Sequence, residues 1–146
     1  MKIVEGDLLD QKGILCHQVS LRGIMGAGIA LQIRRKWPSA HDEYVRHCRK
    51  SAKIGDVLYS NVEQEHVVVT HLFGQSDLSH GQCVTDYDSY PQMLLKVNHL
   101  AATTGLDVFI PHGIGCGLGR GDWNVMLPIL EDHLPGAILV KYTEVK

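Results

Sequence analysis

Apolar residues fall along this chain in short β-prone runs and in longer stripes with helical spacing, and their order predicts the fold. The runs are residues 2–5, 13–19 (GILCHQV), 56–62, 66–72 (HVVVTHL), 107–111 (DVFIP) and 137–142. Residues 13–19 and 107–111 are apolar nearly throughout, which predicts strands covered on both faces. Only the polar loop 63–65 separates 56–62 from 66–72. That spacing predicts a hairpin, hence one antiparallel element in an otherwise parallel sheet. The helical stripes are 30–37, stopped by Pro38, then a stretch from Ser39, then 86–103 and 122–134. Ser39 suits an N-cap, with Asp42 in the capping-box position. Tyr90, Met93, Leu94, Val97 and Leu100 form the third stripe, which Gly105 ends. Asp122 is the expected N-cap of the last helix. This order predicts a three-layer α/β/α sandwich around a central mixed sheet. No repeat, low-complexity tract or charge run divides it, so residues 1–146 read as a single domain.

Composition then narrows the function classes. The 14 basic and 16 acidic residues give a net charge of -2. A protein that holds a nucleic-acid backbone needs a basic field, so nucleic acid is a disfavoured partner. No apolar stretch approaches 18 residues and no apolar leader follows the first methionine, so no membrane partner and a cytoplasmic location are expected. Cys16, Cys48, Cys83 and Cys116 show no C-x-x-C spacing, so neither a disulfide framework nor a zinc site is indicated. No metal or cofactor is expected, and a monomer is the expected state.

The 15 glycines among 146 residues are concentrated where chemistry is expected. The first cluster is Gly23-Ile-Met-Gly26-Ala27-Gly28-Ile29-Ala30, between the 13–19 strand and a helix. The second is Pro111-His112-Gly113-Ile114-Gly115-Cys116-Gly117-Leu118-Gly119-Arg-Gly121, between the 107–111 strand and a helix. Glycines let backbone N–H groups approach a ligand closely, and a following helix N-terminus favours an anion such as a diphosphate. Two such loops leaving the carboxyl ends of buried strands predict a ligand crevice. A P-loop is excluded, because no G-x-x-x-x-G-K-[ST] occurs. A Rossmann dinucleotide site is disfavoured: a helical pattern (39–50) stands where a second strand with its acidic residue belongs.

Gly6-Asp7-Leu8, His17-x-x-Ser20, Met25-Gly-Ala-Gly-Ile-Ala30 and Ile114-Gly-Cys-Gly-Leu118 with Trp123 after it together resemble the macrodomain family. The likeness is greatest to the branch that contains the terminal ADP-ribose glycohydrolase and the yeast-type ADP-ribose-1″-phosphate phosphatase. It covers essentially the whole chain and implies a macrodomain fold and an ADP-ribose or ADP-ribosylated ligand. By the resemblance, Asp7 accepts from the adenine amino group, and Leu8 and Pro111 are among the ligand-binding residues. The amides of Gly26–Ile29 and Gly115–Leu118 hold the diphosphate. Ser20 takes the place near the distal ribose where many macrodomains carry Asn, with Gly113, Ile114 and Gly119 completing the ligand contacts.

Catalysis departs from the family pattern. The glycohydrolase branch uses a Lys on the strand after the hairpin and an Asp directly after the GCGL loop. Here His71-Leu-Phe-Gly-Gln75 stands around the first position and Gly119 at the second. With no amine to form it, a covalent lysine–ribose route is disfavoured. A water-mediated hydrolysis of ADP-ribose-1″-phosphate or an ADP-ribosyl linkage remains, with Asp122, His112 and His17 as candidate catalytic residues. Asp122 can equally be a helix cap and His17 a core histidine. Gln75, Asp86 and Asp88 could line the distal side, and the polar segment 76–88 is long enough to serve as a lid. The alternative is a non-catalytic ADP-ribose-binding module.

Overall fold

The structure, a computed structural model, describes residues 1–64, 66–76 and 83–144. The strands are β1 (Lys2–Gly6), β2 (Gly13–Ser20), β3 (Val57–Val62), β4 (Val67–Gln75), β5 (Val108–Pro111) and β6 (Ile138–Tyr142). They form one sheet in the order β1-β6-β5-β2-β4-β3. All pairings are parallel except β3 with β4, the hairpin edge that the spacing of the two runs predicted. The helices among the described residues are α1 (Gly28–Lys36), α2 (Pro38–Lys50), α3 (Tyr90–Thr104) and α4 (Trp123–His133). This is the expected three-layer α/β/α arrangement on a mixed sheet. None of these helices is long and apolar enough to cross a membrane.

Alternation along the strands divides the core between the two faces. Ile14, Cys16, Val68, Leu72, Ile110 and Leu139 pack with Tyr90, Met93, Leu94 and Val97 of α3 and Met126 and Leu130 of α4. Leu15, Val19, Val67, Val69, Phe73 and Val140 pack with Ile33, Trp37, Ala40 and Tyr44 on the other face. The α3 stripe read from the sequence is therefore core, except that Leu100 is only partly buried. Each fully buried large apolar side chain stabilises by about 1.5–3 kcal/mol relative to exposure.

Two element starts differ from expectation. α2 begins at Pro38 and not after Ser39, with Trp37 as its N-cap and no side-chain cap bond. Proline has no N–H to satisfy and its φ is already helical, so it takes the first helical position ahead of a weaker capping signal. The stripe from Asp86 is broken into a 3-10 turn, Tyr87–Ser89, capped by the Asp86 side chain, before α3 starts at Tyr90. Gly105 ends α3 with φ 72°. Part of the 63–65 loop and the middle of the 76–88 lid lie outside the described residues.

The feature that positions a site is the unequal length of adjacent strands. β2 pairs with β4 as far as Ser20, but with β5 only at Ile14 and Leu15. Residues 16–20 of β2 therefore have an open edge on the β5 side. The two glycine loops leave the carboxyl ends of these neighbouring strands on either side of that gap.

Candidate ligand-binding cleft

Three contiguous hollows run across the carboxyl ends of β2 and β5. The first, about 250 Å³, is lined by Asp7, Leu8, Ile29, Pro111, Val140 and Tyr142, among others. The middle one, about 230 Å³, lies between the start of α1 and the second glycine loop, with His17 and Gln18 in its lining. It shares Gly28, Ile29, Pro111 and His112 with the first. The third, about 280 Å³, is lined by Ser20, Ile24, Gly26, Ala27, Gln75 and Leu118 and shares Ala27, Gln75 and Leu118 with the middle. The structure thus brings Asp7, both glycine loops and Ser20 to one elongated cleft.

The middle compartment has the character of an anion site. α1 opens on Gly28 with Ala27 as a cap that offers no side-chain bond. Its first N–H groups are therefore unspent and carry the positive end of the helix dipole. In the second loop the amides are not equivalent. Ile114 N–H donates to Pro111 O (3.0 Å) and Cys116 N–H to Gly113 O (2.9 Å), so both are used inside the loop. Those of Gly115, Gly117 and Leu118 make no backbone bond among the described residues. Cys116 is a correction on this count. Its amide is spent and its thiol donates to Ile114 O. It is absent from the lining of all three hollows and packs partly buried beside the α3–α4 core. Burial also raises its thiol pKa, so no thiolate is presented.

The other candidates separate clearly. Asp7 is N-cap of the 3-10 turn Leu8–Asp10: its Oδ1 accepts from Leu9 N–H at 2.9 Å, and its second oxygen makes no hydrogen bond among the described residues. Asp122 caps α4, accepting from Asn124 N–H (2.9 Å), while its own N–H donates to Tyr87 OH (2.7 Å). It lines none of the three hollows. His112 packs tilted against Trp123, ring centroids 4.8 Å apart and planes at 46°, where the first and middle hollows meet. His17 is buried and hydrogen-bonded to His71 (Nε2 to Nδ1, 2.8 Å). Burial holds its pKa down to about 3, so it is neutral at ordinary pH.

Gly119 is fixed by what lies beside it. A Cβ there would stand 2.3 Å from Thr85 Oγ1, 2.7 Å from Gln18 Nε2 and 2.8 Å from Gly115 O. Thr85 Oγ1 donates to Gly115 O (2.7 Å) and accepts from Gln18 Nε2 (3.0 Å), and Tyr90 OH donates to Gln18 Oε1. This plug occupies the volume into which a side chain at 119 would have to project. Gly115 is constrained twice, by φ +77° and by Gln18 Oε1 at 3.0 Å from a Cβ. Sequence reasoning missed Gln18 and Thr85. The only signal was a polar glutamine inside an otherwise apolar strand. It also missed Val140 and Tyr142, which line the Asp7 end.

No protein-family model matches the sequence. Two curated relatives are each named ADP-ribose 1″-phosphate phosphatase. That of Meyerozyma guilliermondii is 38% identical over 56 residues, 36% of this chain and 32% of its own. That of Candida albicans is 29% identical over 80 residues, 50% of this chain and 51% of its own. The chain thus spans about a third and about half the length of the curated relatives it matches. A macrodomain protein from Streptomyces coelicolor superposes with a TM-score of 0.78 at 26% identity, over 99% of both chains. Thermosipho africanus DarTG, solved in complex with ADP-ribose, superposes with a TM-score of 0.79 over 99% of this chain and 43% of its own. At 15% identity, that likeness is one of fold. The sheet order, the two glycine loops and these likenesses give the chain a macrodomain fold and a similarity to proteins of the Appr-1″-p processing type.

Proposed function

We propose that the cleft binds ADP-ribose or a derivative of it, adenine at the Asp7 end and the distal ribose at the Ser20 end. The observation that carries this reading is the order of the three hollows. A carboxylate oxygen and apolar walls lie at one end, unspent amides in the middle, and a hydroxyl and an amide side chain at the other. An acceptor-only carboxylate suits an amine. The amides and helix N-terminus suit a diphosphate. Ser20 and Gln75 suit ribose hydroxyls.

Within this reading the substrate is ADP-ribose-1″-phosphate. Water attacks phosphorus, the bond from phosphorus to the sugar oxygen breaks, and ADP-ribose and inorganic phosphate leave. Among the described residues, none of the side chains lining the Ser20 compartment is acidic or basic. The proton of the attacking water is therefore assigned to the departing sugar oxygen, passed by way of an oxygen of the substrate's own phosphate. The same observation favours a second reading, a module that binds ADP-ribose without turning it over.

Calorimetric titration with ADP-ribose tests the shared premise; no heat at millimolar ligand would sink it. Phosphate release from ADP-ribose-1″-phosphate separates enzyme from reader. Asp7→Asn keeps a side-chain oxygen to cap Leu9 N–H but turns an NH₂ donor towards the adenine amine. Affinity is expected to fall about tenfold or more, since hydrogen bonds to charged groups contribute about 1.5–3 kcal/mol. Unchanged affinity would displace adenine from that end. Asp122→Ala is expected to lower stability by about 1 kcal/mol through the lost cap. It should leave turnover as it is, and a turnover loss at unchanged stability would return Asp122 to the mechanism.

A further inference from the structure

Ser60, His71 and His17 form a buried hydrogen-bonded chain that runs from β3 through β4 to the cleft. Ser60 Oγ is 3.0 Å from His71 Nε2, and His71 Nδ1 is 2.8 Å from His17 Nε2. Ser60 and His71 have no solvent exposure and His17 has 2%. Tyr44 stacks on the His71 ring, with centroids 5.8 Å apart and planes at 22°, which fixes the ring's orientation. Among the described residues, His17 Nδ1 is the one buried side-chain nitrogen or oxygen without a hydrogen-bond partner. It belongs to a residue that lines the middle compartment.

The chain can be protonated in two ways. In the first, His17 Nε2–H donates to His71 Nδ1 and His71 Nε2–H donates to Ser60 Oγ. The Ser60 hydroxyl hydrogen then has no acceptor, in a site without water access. In the second, Ser60 O–H donates to His71 Nε2, and His71 Nδ1–H donates to His17 Nε2. Both bonds of the chain are then made with no hydroxyl hydrogen left over, and the one group still unpartnered is His17 Nδ1, which carries that ring's proton. A buried unpaired polar group costs about 1–3 kcal/mol. The second arrangement avoids one such group, so it is the stable one.

We propose that Ser60 and His71 act as positioning residues that fix His17 as an Nδ1–H donor to an oxyanion of the ligand in the middle compartment. This rests on the ADP-ribose reading of the cleft, in which that oxyanion is the diphosphate. It assigns His17 to ligand recognition and removes it as a general base, because the lone pair on Nε2 is already engaged. The unpartnered Nδ1 is then a donor held ready for the ligand. His71, where the glycohydrolase branch has its lysine nearby, has the role of setting a tautomer.

Nitrogen-15 spectra of the imidazoles in the wild-type protein at neutral pH test the arrangement without any substitution. The expected result is a protonated Nδ1 and a bare Nε2 on both His17 and His71, with the His17 Nδ1–H resonance moving on addition of ADP-ribose. A protonated Nε2 on His17 would overturn the proposal. Ser60→Ala is expected to move part of the His17 population to the Nε2–H form and to weaken ADP-ribose binding about tenfold. Ser60→Thr, which keeps the hydroxyl, should restore both. Weakened binding in Ser60→Ala with the wild-type tautomer retained would mean that Ser60 is structural only, and would also overturn it. If the tautomers are as expected but ADP-ribose produces no heat, the relay stands and the ligand reading fails. The opposite pattern leaves the ligand reading and removes the relay.

Discussion

Gly119→Asp is expected to break the second glycine loop and not to restore a catalytic centre. The resemblance to the glycohydrolase branch makes this the obvious substitution for gaining deglycosylation, since an aspartate belongs directly after GCGL. The structure gives that side chain no space. Its Cβ would meet Thr85 Oγ1 at 2.3 Å and Gly115 O at 2.8 Å, both already engaged with each other. Either Thr85 turns away and leaves the Gly115 carbonyl with only its bond from Gly121 N–H, or residues 115–119 shift and carry the Gly117 and Leu118 amides out of line. Overpacking costs about 1–3 kcal/mol and a lost hydrogen bond about 0.5–1.5 kcal/mol more. Gly119→Ala should therefore lower the unfolding free energy by about 3 kcal/mol. Gly119→Asp should lower it further, because a carboxylate must also be accommodated. Both should lose ADP-ribose binding.

The control is two residues away. A Cβ at Gly117 meets nothing within 4 Å, so Gly117→Ala should stay within about 0.5 kcal/mol of wild type. Urea midpoints with unchanged slope measure all three variants. A Gly119→Ala protein as stable as Gly117→Ala would show that the Thr85–Gln18 plug yields, and the aspartate position would again be open to engineering.

That plug also shows where sequence reading stops. The strands, the hairpin and the helices were legible because periodicity is a local property. Residues 13–19, 66–72 and 107–111 carry their burial in their own composition. The two glycine loops were legible for a related reason, since each glycine has a local entropic cost that asks for a ligand or a close contact. Contacts across the chain have no such trace. Gln18 and Thr85 are 67 residues apart, and His17 and His71 are 54. The sequence alone shows His71 as a missing lysine. The fold shows it as the buried hydrogen-bond partner of His17 Nε2. Within the second glycine loop, the sequence cannot say which amides the turn itself uses, and so does not separate Cys116 from its neighbours. At α2 two local signals competed, and Pro38 prevailed over Ser39.

The second large effect is expected on acidification. Burial holds His17 down to about 3, and His71 well below the ordinary histidine value, with the neighbouring His17 and His47 adding to the shift. In the unfolded chain both return to about 6.5. Between those limits the unfolded state binds protons that the folded state refuses, so stability rises with pH. It is complete above about pH 6.5 and falls steadily as pH drops towards 3. The slope is about 1.4 kcal/mol per pH unit for each histidine kept neutral. From pH 6.5 to 5 His17 alone should therefore cost about 2 kcal/mol, with His71 adding to the loss, out of a total of the order of 5–15 kcal/mol. Carboxylates titrate lower, so this window reports mainly on histidines. His71→Gln supplies the contrast: its amide cannot titrate there, and the slope should fall by about half even if the variant is less stable at every pH. An unchanged slope would mean that His71 takes up its proton inside the fold. The neutral pair is also what the donor arrangement at His17 requires, so acid should remove cleft and fold together. ADP-ribose, which would bind only the folded state, should move the acid midpoint down.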